Sequence, residues 1–486
     1  MRDRQKSLKY NFVMNVLLTV SSFLFPVVTF PYVSRVLGPD GTGRVAFATS
    51  VISYFAMFAQ LGIPTYGIRA CAKVRDDKEE LTRVTHEILF INFLMSILVY
   101  IVLGGALAVV PRLGQDKPLM IVISLTILFN AIGVEWLYKA LEEYGYMTVR
   151  SIAFKAVALA AMFAFVRKEQ DYVVYGAITI LAASASNVLN FTRMYRMIGL
   201  KPVGGYNLRR HMKAVMVFFA MSCATTIYTN LDTVMLGFMK SDAEVGYYSA
   251  AVKIRTLLAG VVTSLGTVLL PRASYYVEQG KKREFLEISG KAIHFVLLMA
   301  LPLVFFFILY AREGVVLLSG AEYLPAVLPM QVIMPTLLMI GLTNIMGIQM
   351  LIPLGKERYV LYSEIAGAVA DLVINALLIP SMASTGAAAG TLAAEALVWM
   401  AQYLVLRGEY KKIYGEIRYG LLLMAAFLGT AAGYAVKLLD LADAYALVLG
   451  AFAFFGTYGL VLLAAKEEFV LEIKDFLFIK LGKRRK

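Results

Sequence analysis

The sequence predicts an all-α integral membrane protein of about fourteen transmembrane helices, arranged as two six-helix lobes related by a pseudo-two-fold axis along the membrane normal, with two further helices at the C-terminal end. Three observations carry this expectation: a composition too apolar for a soluble core, a succession of uncharged segments near hydrocarbon length, and an internal repeat that copies spans, loops and charge together.

Of the 486 residues, 59% are hydrophobic and 16% charged, and the mean hydropathy is +0.70. A soluble domain has about 45–50% apolar and about 25% charged residues, so lipid must stand in for water around much of this chain. Cys71 and Cys223 are the only cysteines, too few for a disulfide framework or a Cys-rich metal site. The net charge of +14 raises the question of nucleic acid. The basic residues are scattered over many short loops rather than gathered on one soluble face, which argues against a nucleic-acid partner and for membrane orientation.

Residues 1–10 are basic and lead into an apolar run too long for a signal-peptide core. The first helix, 11–32, is therefore read as retained, with a cytosolic tail before it. Spans at 45–68, 88–110, 118–138, 151–166 and 173–192 complete a first lobe over residues 1–200. A second lobe, 210–407, repeats the plan with 214–239, 246–271, 292–310, 327–352, 359–380 and 386–406. Two more spans, 417–436 and 444–465, and a basic cytosolic tail occupy 408–486. Most of the 47 Lys and Arg fall in alternate loops on the side of the N-terminus. By the positive-inside rule both termini are cytosolic in a multi-pass protein of the cytoplasmic (inner) membrane.

The repeat is weak in identity but regular in layout. A shift of 203 lays 43-GRVAFATS on 246-GYYSAAVK and, without a gap, Arg69 on Arg272. Leu37-Gly38 approximates Leu236-Gly237, and 142-EEYGYMTVRS resembles 355-GKERYVLYSE at a shift near 213. An even number of helices per unit returns the second copy to the membrane in the same orientation, hence the axis along the normal and the expectation of a central cavity between the lobes.

The segments 30-FPYVSRVLGPDGTGRVAFATSVISYFAMFAQLGIPTYGIRACAKV-74 and 228-YTNLDTVMLGFMKSDAEVGYYSAAVKI-254 resemble the Wzx-type polysaccharide (lipid-linked O-antigen/oligosaccharide) flippases. Those belong to the multidrug/oligosaccharidyl-lipid/polysaccharide exporter superfamily, with the lipid II flippases and the multidrug/sodium antiporters. The resemblance covers nearly the whole chain. It implies alternating access and a polyprenyl-pyrophosphate-linked glycan as substrate, with membrane lipids around it. Contact with a glycan polymerase or glycosyltransferases is part of the same expectation.

Moving a pyrophosphate and a hydrated glycan requires cationic, wet space at membrane depth, so basic residues inside spans are the signature to seek. A charge at the centre of a helix costs about 2.5–3.5 kcal/mol on insertion scales and is disfavoured facing lipid. Lys253 and Arg255, about two turns into helix 8, are the leading phosphate contacts, Arg through its bidentate fork and Lys as a compact charge. An ion pair with a carboxylate of another helix, or snorkelling to the interface, is the alternative. Arg69 and Arg272, matched by the repeat, could gate one mouth or serve as positive-inside anchors. Arg35 and Arg44 flank the first outer loop. Lys155 is read as a snorkelling side chain near the cytosolic end of helix 5. Related lipid II flippases carry arginine in the first two helices; here helix 1 has no charge between Tyr10 and Arg35, and Ile52 stands opposite Arg255 in the repeat. The expected cationic site therefore rests on the second lobe.

Acidic residues within spans form a second group: Asp232, Glu364, Asp371 and Glu395. Asp371 and Asn375, four residues apart, share a helix face. With Asp232 and Thr391 they supply oxygens that suit a hard monovalent cation. The resemblance implies the same, since sodium sites of related lipid II flippases draw on helices 7, 11 and 12, with the order of carboxylate and amide reversed here. The coupling ion is expected to be Na+ or H+, with no cofactor and no other metal; pairing of these carboxylates with Lys253 and Arg255 is the competing reading. Glu135 is read as a helix-end residue. Pro26, Pro31, Pro64, Pro302 and Pro335 are candidate hinges.

No G-x-x-x-x-G-K-[ST] phosphate loop and no HExxH motif occurs, His86, His211 and His294 are scattered near predicted boundaries, and no loop is long enough for a catalytic domain. An enzyme is not expected, and a membrane-embedded glycan polymerase or transferase is the weaker alternative. A cation-coupled multidrug antiporter of the same superfamily is the closer one; fourteen spans and a basic helix 8 favour the flippase.

Overall fold

A computed structural model describes residues 8–199, 201–264, 266–415, 417–467 and residue 471. Among these the regular structure is helical throughout. The first stretch comprises α1 Leu8–Gln60, α2 Ile63–Lys73, α3 Lys78–Val109, α4 Pro111–Gly114, α5 Lys117–Gly133, α6 Glu135–Ala140, α7 Tyr144–Phe165, α8 Tyr172–Ile180, α9 Asn187–Met194 and α10 Arg209–Met239. The second comprises α11 Asp242–Thr263, α12 Gly266–Glu278, α13 Lys282–Leu309, α14 Ala311–Ser319, α15 Val327–Ile333, α16 Thr336–Thr343, α17 Glu357–Gly415, α18 Tyr419–Lys437 and α19 Asp443–Ala464. The chain divides into two compact units, Met1–Gly246 and Tyr247–Lys486.

Nine helices among the described residues are long and apolar enough to cross a membrane, or eleven when each of two bent pairs is taken as one span. The count of about fourteen belongs to the sequence pattern alone, and the difference has a physical origin. α1 and α17 have 53 and 59 residues, which at 1.5 Å per residue is about 80–90 Å, well beyond a hydrocarbon core of about 30 Å. Each carries two of the predicted spans. α1 breaks at Gly38, where φ is 64° and ψ −178°. α17 contains Pro380 and, at Ala383, a φ of 47°. The fold-back of α17 is direct: Asn375 and Gly390 touch, although fifteen residues of straight helix would separate them by about 22 Å. α5, at 17 residues, is just short of span length.

Several helix starts recur near the spacings of the sequence repeat. α2 begins at Ile63 and α12 at Gly266, 203 residues later; α3 begins at Lys78 and α13 at Lys282, 204 later; α7 begins at Tyr144 and α17 at Glu357, 213 later. Helix starts are set by local chain stiffness and capping.

Within the first unit α1 packs on α3, α5, α7 and α10, and α2 on α6. One apolar core lies around Trp136, Leu137, Tyr138, Ile88 and Val215, and another around Val33, Leu37, Ala158 and Met162. In the second unit Val296, Leu337, Met346 and Leu422 belong to one extended apolar core. The pair α18–α19 docks on it and on a smaller cluster of Phe306, Tyr310 and Phe454. Of the candidate hinges, Pro64 sits in the first turn of α2, where its missing N–H costs nothing. Pro335 falls at a true break, a 45° bend between Ala321–Ile333 and Thr336–Leu351. Pro26, Pro31 and Pro302 lie inside α1 and α13.

Candidate functional site

Lys155 is displaced from the position the sequence suggested. Because α7 begins at Tyr144 rather than near 151, Lys155 sits midway along a 22-residue helix, where snorkelling to an end is geometrically unfavourable. Its Nζ donates to Ser21 Oγ at 2.9 Å and to Ser22 Oγ at 2.8 Å, across the packed seam of α7 and α1. No described carboxylate pairs with it. Glu135, whose charge reaches Lys155, is engaged by Arg150 at 2.9 Å. Two hydroxyls use two of the three ammonium donors and leave the positive charge uncancelled.

The seam continues as a polar face. The first half of α1 is only 6% buried over its apolar window, and its exposed surface divides by helix angle. Phe12, Val16, Val20, Phe23, Leu24 and Val27 cover one arc. Asn15, Thr19 and Ser22 are exposed on the adjoining arc, at the 3–4 residue spacing that puts side chains on one helix face. An exposed polar arc on a helix of hydrocarbon length is a surface suited to water rather than to acyl chains.

The other candidate cations are placed as follows. Lys253 and Arg255 are both half-buried on α11, two residues apart and hence about 200° apart around the helix. They serve different faces. Arg255 Nε is buried with no hydrogen-bond partner among the described atoms. Arg69 is exposed on α2. Arg272 is exposed on α12 and donates to Tyr276 at 3.0 Å. Arg35 is exposed and donates to the Pro31 carbonyl at 2.6 Å.

Among the acidic candidates, α17 brings three residues together. Asp371 and Asn375 on its first limb are buried, and their Oδ1 atoms both turn to Gly390 on the second limb. A Cβ at Gly390 would lie 2.1 Å from Asn375 Oδ1 and 3.2 Å from Asp371 Oδ1, so glycine alone leaves room for this convergence. Thr391, next in sequence, shares its hydroxyl with Tyr248 at 2.9 Å and donates to the Ala387 carbonyl at 3.0 Å. The fold-back thus brings one carboxylate oxygen and one amide oxygen together at Gly390, with the Thr391 hydroxyl engaged by Tyr248 and Ala387. Glu395 is buried one turn beyond Thr391, Glu364 is exposed, and Asp232 is buried on α10 in the first unit. Glu135 is the first residue of α6, a helix-end position, and pairs with Arg150 and Lys139.

One cluster escaped the sequence reading. Arg44 reaches Asp116 at 3.2 Å and Asp242 at 3.6 Å; Arg112 also pairs with Asp242 and lies 4.5 Å over the Phe47 ring. Tyr172 donates to Asp116 at 3.0 Å. These residues come from α1, α4, α8 and the starts of α5 and α11, separations no periodicity could have linked.

The comparisons with known proteins agree with this architecture. The family model described as polysaccharide biosynthesis protein matches residues 8–277, and the MatE model matches 218–377. A protein of Escherichia coli (strain K12) named "Putative O-antigen transporter" is 24% identical over 84% of this chain and 99% of its own length. Its namesake in Shigella dysenteriae is 23% identical over 75% of this chain and 91% of its own. The fold is that of the lipid II flippase MurJ in an inward closed conformation, with TM-score 0.66 and 12% identity over 93% of this chain and 99% of that one. It is also that of an inward-facing multidrug resistance MATE family transporter of the MOP superfamily, with TM-score 0.64 and 12% identity over 84% and 99%. With residues 8–277 of its 486 matched, more than half of its length, the chain belongs to the family described as polysaccharide biosynthesis protein.

Proposed function

We propose that the protein is a flippase that carries a polyprenyl-pyrophosphate-linked oligosaccharide from the cytosolic to the outer leaflet of the cytoplasmic membrane by alternating access, with both termini in the cytosol. The observation that carries this reading is Lys155, a mid-helix cation held by two hydroxyls and by no described carboxylate. An anion of the substrate would supply the missing countercharge, and the adjoining arc of Asn15, Thr19 and Ser22 would hold water and sugar hydroxyls. Lys253 and Arg255 would meet phosphate from two faces of α11, while Arg35, Arg69 and Arg272, all exposed, would act at the mouths. The glycan named for the relatives supports the substrate class.

Coupling to a cation gradient or to the membrane potential is part of the proposal. Asp371, Asn375 and Thr391 would hold Na+, which would supply one positive charge to the fold of α17; H+ on Asp371 is the other form of coupling. Asp232, Glu364 and Glu395 would act in coupling outside that convergence. Contact with a glycan polymerase or glycosyltransferases would deliver and remove the cargo.

The test is translocation of a fluorescent polyprenyl-pyrophosphate-linked glycan in proteoliposomes. Lys155→Met and Arg255→Ala should each slow it about tenfold or more, the loss of one charge-assisted contact of about 1.5–3 kcal/mol, with Lys155→Arg retaining most of the rate. Wild-type rates in both neutral variants would remove the phosphate reading. The MatE match over 218–377 favours cation-coupled multidrug antiport as the second reading; efflux of a cationic dye, unimpeded by loss of Lys155, would support it instead.

A further inference from the structure

α10 packs on α1 and α2 through Phe218 and Phe219, and polar or ionic groups hold its two ends. Its buried residues are His211 and Val215 at one end and Asp232, Leu236 and Gly237 toward the other, while Met216, Val217, Met221 and Ile227 are exposed. At the far end, Phe238 meets Phe47 edge-on at 5.4 Å and Arg112 Nε donates to the Gly237 carbonyl at 2.7 Å. At the near end the fixing groups are ionisable.

Glu87 of α3 is completely buried as a side chain. Its Oε2 accepts from Arg210 Nη2 at 2.5 Å, Arg210 Nε at 2.9 Å and His211 Nε2 at 2.7 Å, and its Oε1 accepts from the Asn207 amide at 2.6 Å. His211, 3% exposed, places its other nitrogen 2.5 Å from the Tyr66 hydroxyl of α2. Arg210 also pairs with Glu80 at 2.7 Å, and Arg83 with Glu79 and Glu80. Arg69, exposed, and Cys71 stand within electrostatic range of Tyr66. The segment before α10 lies along α3 as well: Gly199 N donates to Thr82 Oγ1 at 3.1 Å, Arg83 Nε to the Gly204 carbonyl at 3.1 Å, and His86 meets Tyr206 at 3.1 Å.

From this geometry we propose that His211 is a proton-binding site whose charge sets how firmly α10 is anchored to α2 and α3. Three carboxylates, Glu79, Glu80 and Glu87, face two guanidiniums, Arg83 and Arg210, with Arg69 near Tyr66; a proton on His211 adds a positive charge beside Glu87. Protonation turns the contact with the Glu87 carboxylate from a hydrogen bond donated by a neutral ring into an ion pair, adding a full opposite charge at 2.7 Å. The Tyr66 hydroxyl donates to a neutral ring nitrogen and accepts from a protonated one. In both states Glu87 keeps its donors from Arg210, His211 and Asn207. Anchoring is therefore firm with the proton bound and weaker once the proton is lost. Glu87 and Arg210 pair in both states.

The experiment is hydrogen–deuterium exchange of residues 205–215 in the intact protein in nanodiscs, between about pH 5 and about pH 8, corrected for intrinsic exchange. The wild type should exchange about fivefold faster at the alkaline end. His211→Gln, which still donates to Glu87, should lose this dependence, and His86→Gln should keep it. A flat wild-type profile, or its survival in His211→Gln, overturns the site. Should His211→Gln fail to insert, the wild type and His86→Gln decide: loss of the dependence in His86→Gln transfers the effect to His86 and overturns the assignment. Exchange is read without any cargo, so the result stands apart from the flippase reading.

Discussion

Arg112 holds Asp242 across 130 residues of chain, and its Nε donates at the same time to the Gly237 carbonyl at 2.7 Å. The end of α10 and the start of α11 are thereby tied to α4 by one guanidinium whose charge is largely withdrawn from solvent.

Removing that guanidinium leaves Asp242 with Arg44 alone, at 3.6 Å. Arg112→Ala should destabilise the first unit by about 1–3 kcal/mol, the cost of stranding a largely buried charged acceptor. Arg44→Ala, at a side chain 37% exposed, should cost less. Thermal melting of the detergent-solubilised protein gives the order, and equal shifts would show that burial is not what separates them.

Gly390 provides a second measurement. Gly390→Ala pushes a methyl against Asn375 Oδ1 at 2.1 Å, so the oxygen convergence must open. Asp371→Asn removes its only formal charge while keeping its shape. Both variants should abolish any stimulation of transport by sodium in proteoliposomes while the chain still inserts. Retained sodium dependence in Asp371→Asn would make the convergence a purely structural feature of the α17 fold-back.

Gly62 tests how α2 is set. It takes φ 71°, and an added Cβ would come within 2.5 Å of backbone atoms of Phe218 and Phe219 on α10. Gly62→Ala combines left-handed strain of about 1 kcal/mol or more with a backbone clash. It should lower the melting temperature more than Gly456→Ala, where the site is open.

The docking of α18 and α19 depends on Tyr310, whose hydroxyl donates to the Gly433 carbonyl at 2.7 Å. Lys437, which closes α18, pairs with the buried Glu313 at 3.0 Å and donates to the Leu309 carbonyl at 2.9 Å. Glu313→Ala should cost about 1–3 kcal/mol by leaving the ammonium without its carboxylate. The check is limited proteolysis: cleavage between α18 and α19 should accelerate in the variant and stay slow in the wild type.

Composition and the spacing of apolar segments were enough to read the class of the molecule, since twenty uncharged residues in a row have few homes other than a bilayer. Helix starts follow from local chain chemistry, so the spacing of 204 between the starts of α3 and α13 lies close to the shift of 203 read from the sequence. The pairing of Asp371 with Asn375 on one face also follows from spacing alone. What the sequence could not supply was partnership between distant segments. Lys155 looked like an end-of-helix lysine until the start of α7 at Tyr144 put it beside Ser21 and Ser22. Glu87 and His211, 124 residues apart, had no pattern to join them. Periodicity records which side of its own helix a residue occupies; which helix faces that side, and whether a buried charge meets a carboxylate, a hydroxyl or a histidine, is decided only by packing.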